Sequence, residues 1–332
     1  MSRLVPWHTV APLVHSGQID APVRPFRLGC GVRLGRVPRR FLSSEFRNGI
    51  DEQLGRRWRA GPAQFCLVTT YKAHSYGDPS GAPAGGPPTK QDAARQRLQL
   101  AALSLWLARP SSVHFRFVAH VHESHLGGVK LPPLFFTFDE KPSLSRYAAA
   151  RLTPADLKGA RRLNVALNAL NLSGPVFIAA RYLWLALNQE HADVRLGILW
   201  MAVDALFGPE DGQGIGEAIR KRVPAFFGGS RKTQIENHGH AAAGWKARCE
   251  VMHGDTLGAR SRKEKEYLLL ESESIVRGAL LSVLLDWRRR RAFETSTGRD
   301  AYLTRIACAF VRPGNAESEL ARRAREKEVA SI

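Results

Sequence analysis

One segment near the middle of the chain restricts the fold more than any other. Residues 195–207 read RLGILWMAVDALF, and a Gly-Pro pair follows directly. A helix that is apolar on almost every side has to be covered by other elements all round. Glycine and then proline after the last apolar residue end such a helix. The segment therefore predicts a helix over residues 193–207 at the buried centre of a bundle of helices.

The residues from position 151 onward have the pattern of this bundle. Thr153, Pro154 and Asp156 predict a helix start, with a hydroxyl cap and a proline where no amide donor is needed. Further helices are predicted over about 153–170, 176–190 and 215–227, the last broken at Pro224. Another leads through Trp245 into RCEVMHGD, and a long helix covers 263–287. An apolar stripe marks this long helix: Val276, Ala279, Leu280, Val283 and Leu284.

Two-residue alternation marks the first 150 residues instead. Residues 24–34 and 113–122 alternate between apolar positions and polar or glycine positions, which predicts half-buried strands. Residues 65–71 and 134–138 are further strand candidates, and a helix is predicted over 91–108. We expect an α+β protein with a mixed β-containing domain over 1–150, an all-α bundle over 151–291 and a basic C-terminal extension over 292–332.

The charge of the chain favours an anionic partner. It has 49 lysines and arginines against 30 aspartates and glutamates, a net charge of +19. The excess is +11 in residues 1–150 (20 basic, 9 acidic) and +8 in residues 151–332 (29 basic, 21 acidic). Nucleic acid is the leading partner class, because phosphate neutralisation is the commonest use of such a surface.

The cysteines and the apolar segments indicate the compartment. Four cysteines, at positions 30, 66, 249 and 308, lie too far apart for a zinc or redox pair. The sequence contains no apolar stretch of about 18 residues and no signal-peptide pattern. We expect a reduced, cytoplasmic protein that has no membrane segment.

Asp204 is the sole carboxylate in the middle of the apolar helix. A buried carboxylate without a partner costs several kcal/mol, so it needs a cation. Arg248 is the favoured partner, and an arginine held by a carboxylate keeps donors free for a phosphate. His253 follows five residues later, and Gly254 and Asp255 come next. On an ideal helix Arg248 and His253 lie about 140° apart, so a joint site requires that the helix end near Gly254 or that a second subunit contribute.

The order of these segments resembles the HEPN superfamily, specifically its Apea-like branch. The resemblance covers about residues 152–287 and rests on WMAVDALFG, a variable helix, WKARCEVMHGD and a long amphipathic helix. The superfamily signature is an arginine followed four to six residues later by a histidine, here Arg248 and His253. The resemblance implies a homodimer formed through the helical bundle, with the two signatures facing each other. It also implies a metal-independent endoribonuclease that needs no cofactor.

The implied chemistry uses the 2′-hydroxyl of RNA as the nucleophile. Histidine titrates near neutral pH and can move protons, while arginine stays charged and can stabilise the phosphorane. The expected products carry a 2′,3′-cyclic phosphate and a 5′-hydroxyl, with Asp204 and Asp255 in supporting roles. The chain would then be a defence or toxin-type effector with an antitoxin or defence-system partner. The alternative is a non-catalytic HEPN scaffold that binds RNA or a nucleotide, in which Arg248 only pairs with Asp204 and His253 caps its helix.

Two other groups of residues are candidates for RNA contact. Arg288, Arg289, Arg290 and Arg291 follow Trp287, which predicts either a phosphate clamp with one stacking ring or a solvated helix end. Arg116, His120 and His122 share one face of a predicted strand, which indicates a solvated face that touches phosphate. A metal site that includes His125 is the lesser alternative for this strand. The segment Asn237 to His240 is predicted to be a polar loop, and the lesser alternative is that it lines the same cleft as His253.

Overall fold

A computed structural model gives the fold. It describes residues 4–14, 19–20, 25–36, 65–74, 90–115, 117–122, 134–137, 150–254, 257 and 260–308 of the 332. The chain forms two compact units, residues 1–170 with 187–190 and residues 171–186 with 191–332. The predicted α+β fold is confirmed, since an antiparallel sheet lies in the N-terminal part and the C-terminal part is mostly helical.

Within its described residues, the first unit contains the sheet and two helices. Its strands are β1 Leu4–Val14, β2 Phe26–Gly29, β3 Val32–Arg36, β4 Phe65–His74, β5 His114–Phe115, β6 Phe117–His122 and β7 Leu134–Thr137. The described strands follow the order β2-β3-β4-β1-β6-β7, β5 pairs with β1, and all pairs are antiparallel. Helix α1 covers Lys90–Ala108 and helix α2 covers Pro154–Asn168. The central strand β1 was not among the predicted strands.

Helix α2 packs against α1 and β2 within this first unit. It begins as predicted, with Thr153 as the N-cap in a reciprocal capping box with Asp156. Asn164 donates a hydrogen bond to the carbonyl of Leu28 at 3.2 Å. The sequence predicted that α2 belongs to the helical bundle, because the helical pattern begins at residue 151. The contacts of α2 place it in the first unit instead.

The second unit is a set of helices. They are α3 Pro175–Leu187, α4 Ala192–Phe207, α5 Ile215–Phe227, α6 Arg231–Met252, α7 Arg262–Leu285, α8 Trp287–Ala292 and α9 Ser296–Cys308. Helix α5 runs through Pro224 without a break. Helix α9, which the sequence placed in a basic extension, packs on α5 and buries Leu303. Within the described residues, none of the helices has both the length and the apolar character that a membrane crossing requires.

Helix α4 is the centre of this unit, as predicted, but it is not covered on every side. It packs against α5, α6 and α7. Its covered side consists of Leu196, Leu199, Trp200, Val203, Leu206 and Phe207. Val194 and Met201 are exposed to 46% and 41% of their surface. An apolar stripe of α4 therefore faces outward in a single copy of the chain.

A polar seam joins α4 to α7 in the middle of the bundle. Arg195 and Glu273 form an ion pair, and each is only 2% exposed. Next to them, the Trp200 indole Nε1 donates to Ser272 Oγ at 3.0 Å, and that hydroxyl donates to the Leu268 carbonyl at 2.7 Å. The sequence had indicated an apolar core here, so this buried charge pair was not predicted.

Candidate functional site

Arg248 is held on an aromatic ring. It is half-buried on α6, and its guanidinium carbon lies 4.8 Å from the ring centroid of Trp245. The Trp245 ring itself meets Trp200, with 6.2 Å between ring centroids. A Cβ added at Gly216 would lie 2.4 Å from Trp245 Nε1, so the start of α5 also presses on this ring. Because its aromatic support is clamped by neighbouring helices, the guanidinium has a defined position.

Asp204 shares an electrostatic environment with Arg248. Burial raises the pKa of Asp204, while the positive charges of Arg248 and Arg299 lower it. Among the described residues, no ion pair within 4 Å joins Asp204 to Arg248. The predicted direct pairing is therefore replaced by an attraction at longer range. The physical reason is that Asp204 is half-buried rather than enclosed, so water still solvates its carboxylate.

Two other arginines cap the C-terminal end of α4 close to Asp204. Arg222 donates to the carbonyls of Phe207 and Gly208 at 3.1 and 3.0 Å, and Arg299 donates to the Ala205 carbonyl. These bonds satisfy carbonyls that have no partner within the helix. Arg222 and Arg299 are thus occupied by carbonyls at the end of α4. Of the two arginines that act on Asp204, Arg248 is therefore more accessible than Arg299.

His253 lies where α6 ends. It is exposed, and its amide donates to the Cys249 carbonyl at 3.0 Å. Gly254 follows with φ of +90°, a conformation that favours glycine, so the predicted termination is confirmed. However, the helical turn before His253 fixes the direction of its Cβ atom. On an ideal helix this direction is still about 140° from the direction of the Arg248 Cβ atom. The termination at Gly254 therefore does not by itself change the angle between the two Cβ directions.

Exposed methionines lie beside Asp204 and Arg248. Met201 precedes Asp204 by three residues on α4, and Met252 follows Arg248 by four residues on α6, so each shares a helix face with its charged neighbour. Met201 is 41% exposed and Met252 is 55% exposed. We call these four residues the Arg248 surface. It combines a cation, a carboxylate and two apolar side chains.

Several predicted site residues fall outside the described residues. These are Asp255, Arg116 and His125, and the side chain of His122, whose backbone pairs with Trp7 in the sheet. Their roles stay predictions. Within the described part of the chain, no group of three or more His, Cys, Asp or Glu residues comes together as a metal site.

His120 is buried, so the prediction of a solvated strand face is wrong for this residue. Its side chain is 1% exposed and its Nδ1 lies 2.9 Å from Thr9 Oγ1 and 3.3 Å from Tyr71 Oη. Tyr71 packs in a cluster with Trp7 and with Ala94 of α1, which covers this face of the sheet. A histidine enclosed in this way has no surface with which to contact an RNA phosphate.

The burial of His120 predicts a pH-dependent stability. Burial, with the nearby charge of Arg95, lowers the pKa of His120 from 6.5 to about 4. Between pH 6.5 and about pH 4, His120 is therefore more protonated in the unfolded chain than in the folded one. The stabilisation is therefore complete above about pH 6.5 and is lost as the pH falls towards 4, by up to about 3 kcal/mol. Urea unfolding of the wild type and of His120→Asn between pH 7 and pH 4 measures it, and the same pH slope in both proteins would contradict it.

The arginines of α8 do not lie near His253. Arg260 pairs with Glu250 of α6, which places the start of α7 beside the end of α6. Helix α7 has 24 residues and therefore extends about 36 Å before α8 begins. Arg288 and Arg291 are exposed at this far end. The structure thus separates the predicted phosphate clamp from the Arg248 surface.

The segment Asn237 to His240 lies within α6, so the prediction of a polar loop is wrong. His240 Nδ1 lies 2.9 Å from the Glu271 carboxylate, and the His240 ring meets the edge of Tyr267. This histidine therefore connects α6 to α7. It precedes His253 by 13 residues, about 20 Å along the helix, and is not part of that end of the helix.

Comparison of the chain with protein-family models, with curated proteins and with solved structures found no match. The resemblance to the HEPN superfamily therefore stays a prediction from the motif residues.

Proposed function

We propose that this chain is a metal-independent endoribonuclease of the HEPN type that acts as a homodimer. The observation that carries the proposal is the placement of Arg248 and His253 on one helix, the arginine fixed on Trp245 and the histidine exposed at the helix end. These two side chains supply the cation and the proton carrier that cleavage by the 2′-hydroxyl requires. The cellular role would be that of a cytoplasmic defence or toxin-type effector, with an antitoxin or defence-system partner.

A second copy of the chain would complete the site. Arg248 and His253 leave α6 in directions about 140° apart, so we expect the site to need both copies. The Arg248 surface offers exposed Met201 and Met252 to a partner, in addition to the outward apolar stripe of α4. Packing of this surface against its equivalent would bring both signatures to one cleft.

In this site each residue has a separate task. His253 takes the proton from the 2′-hydroxyl or gives one to the leaving 5′-oxygen, and a pair of histidines in a dimer would divide these roles. Arg248 donates to the non-bridging oxygens as charge develops on the phosphorane. The negative charge of Asp204 attracts the Arg248 guanidinium at longer range and helps to orient it.

Incubation of the purified protein with RNA in excess EDTA tests this function. We expect cleavage that leaves 2′,3′-cyclic phosphate and 5′-hydroxyl ends, detected by resistance of the 3′ end to a ligase that needs a 3′-hydroxyl until the cyclic phosphate is opened and the phosphate is removed. Expression of the wild type, but not of His253→Ala, should arrest growth of a bacterial host. RNA binding without cleavage, together with growth arrest that is independent of His253, would instead favour the non-catalytic scaffold.

A further inference from the structure

The junction of α7 and α8 presents an aromatic ring to solvent. Trp287 is the first residue of α8 and is 61% exposed, and Leu285 beside it is 53% exposed. Asp286 separates the two helices with an extended backbone, φ −108° and ψ 112°. Its carboxylate accepts the amide of Arg288 at 2.9 Å, which caps α8. The capped break fixes the Trp287 backbone, so this exposed ring is attached to a rigid support.

The arginines after Trp287 divide into structural and accessible ones. Arg289 lies 4.8 Å from the ring centroid of Phe226 and 3.7 Å from the Asp286 carboxylate, so it helps to pack α8. Arg288 and Arg291 are exposed, and no carboxylate of a described residue lies within 4 Å of either. The Arg288 guanidinium lies 5.6 Å from the Trp287 ring centroid. An exposed ring with uncompensated cations around it is complementary to a base and its phosphates.

We propose that Trp287, Arg288 and Arg291 form a second RNA site, in which the tryptophan ring stacks on an unpaired base and the arginines bind the adjacent phosphates. The proposal rests on the proposed function in taking RNA as the ligand. The site selects single strands, because the bases of a duplex are already stacked on each other and offer no free face. It would hold the substrate at a distance from the residues that cleave it.

The length of α7 sets the size of RNA that can use both sites. They are separated by about 36 Å along this helix. A stacked strand advances about 3.4 Å per nucleotide, so roughly ten nucleotides are needed to bridge them. A 20-nucleotide RNA reaches both sites, whereas a six-nucleotide RNA occupies one at a time.

Equilibrium binding to chains that carry His253→Ala tests the site without cleavage. Adding Trp287→Ala is expected to weaken binding of a labelled 20-nucleotide single strand by roughly 5- to 150-fold, the range for loss of one stacked base. Trp287→Phe should retain most of the affinity, and binding of a 20-base-pair duplex should not change. Arg288→Ala with Arg291→Ala should reduce the dependence of log K on log salt by about 1.4, while Arg289→Ala leaves this slope unchanged.

The outcomes separate this proposal from the ribonuclease proposal. Equal losses for single strand and duplex, or no loss for Trp287→Ala, would overturn the stacking site and leave the ring as a protein contact. In the active chain, Trp287→Ala should raise KM for the 20-nucleotide RNA and leave cleavage of the six-nucleotide RNA unchanged. Absence of cleavage by the wild type, with the predicted binding losses intact, would overturn only the ribonuclease.

Discussion

His253→Ala is expected to lower the rate of RNA cleavage by about 10²- to 10⁴-fold, the usual contribution of one general acid or base. The reason is that RNA supplies its own nucleophile, so proton transfer is the main work left to the protein. His253 is exposed at the end of α6 and makes no side-chain hydrogen bond within the described residues. Its removal should therefore leave the unfolding curve unchanged. Initial rates on a labelled 20-nucleotide RNA, together with urea unfolding, measure both effects.

His191→Ala is the matched control. His191 is also exposed at a helix end, as the N-cap of α4, and its side chain makes no capping hydrogen bond. This variant should cleave RNA at the wild-type rate. An equal rate for His253→Ala and His191→Ala would show that the cleavage comes from elsewhere, including a contaminating nuclease.

Variants of Arg248 separate the contribution of its positive charge to activity from the contribution of its planar shape. Lysine keeps the positive charge but lacks the planar fork and stacks less well on Trp245. We expect Arg248→Lys to keep a small part of the activity and Arg248→Ala to keep almost none. If each site takes its arginine from one copy and its histidine from the other, mixed dimers of Arg248→Ala and His253→Ala chains hold one intact site and should regain up to half of the wild-type rate. If one cleft needs both histidines, or if one chain supplies both residues of a site, the mixed dimers should not recover.

Local signals in the sequence predicted several helix ends correctly. The cap at Thr153, the Gly-Pro end of α4 and the termination at Gly254 depend on residues within one turn of each other, so the sequence alone predicts them. The central strand β1 gave no such signal. Trp7, His8 and Thr9 are all buried, because both faces of this strand are covered, and Pro12 lies within it. A strand that is buried on both faces does not alternate, and proline argues against a central strand.

The sequence could not show which face of a strand or helix another element covers. His120 alternates correctly in β6, but only the position of α1 shows that its side of the sheet is covered as well as the opposite side. Arg248 does act electrostatically on Asp204, but the direct ion pair that the sequence predicted is not formed, because Asp204 is only half-buried. Glu273 did carry a signal that sequence reasoning missed. It precedes Val276 by three residues and so lies on the apolar stripe of α7, where a carboxylate needs a buried partner.

The buried ion pair of Glu273 with Arg195 leads to the prediction with the largest effect on stability. Glu273→Ala is expected to lower the free energy of unfolding of the helical unit by about 3–5 kcal/mol, because it leaves the Arg195 guanidinium charged and buried without its carboxylate. The measurement is urea unfolding, monitored by tryptophan fluorescence. Trp200 reports on this region because its indole donates a hydrogen bond to Ser272, the neighbour of Glu273. Glu271→Ala on the same helix is the control. Its ion pair with His240 is partly exposed, so its loss should cost less than about 1 kcal/mol.

Removal of both charges should behave differently from removal of one. In Arg195→Met with Glu273→Leu, both charges of this pair are removed, and apolar side chains of similar size fill the seam between α4 and α7. The attraction between two buried charges offsets only part of the free energy lost when they leave water. This double variant should therefore recover most or all of the wild-type stability. A double variant that is as unstable as Glu273→Ala would show that the pair itself stabilises the bundle. The seam would then contribute to stability, whereas recovery would indicate that it fixes how α4 sits on α7.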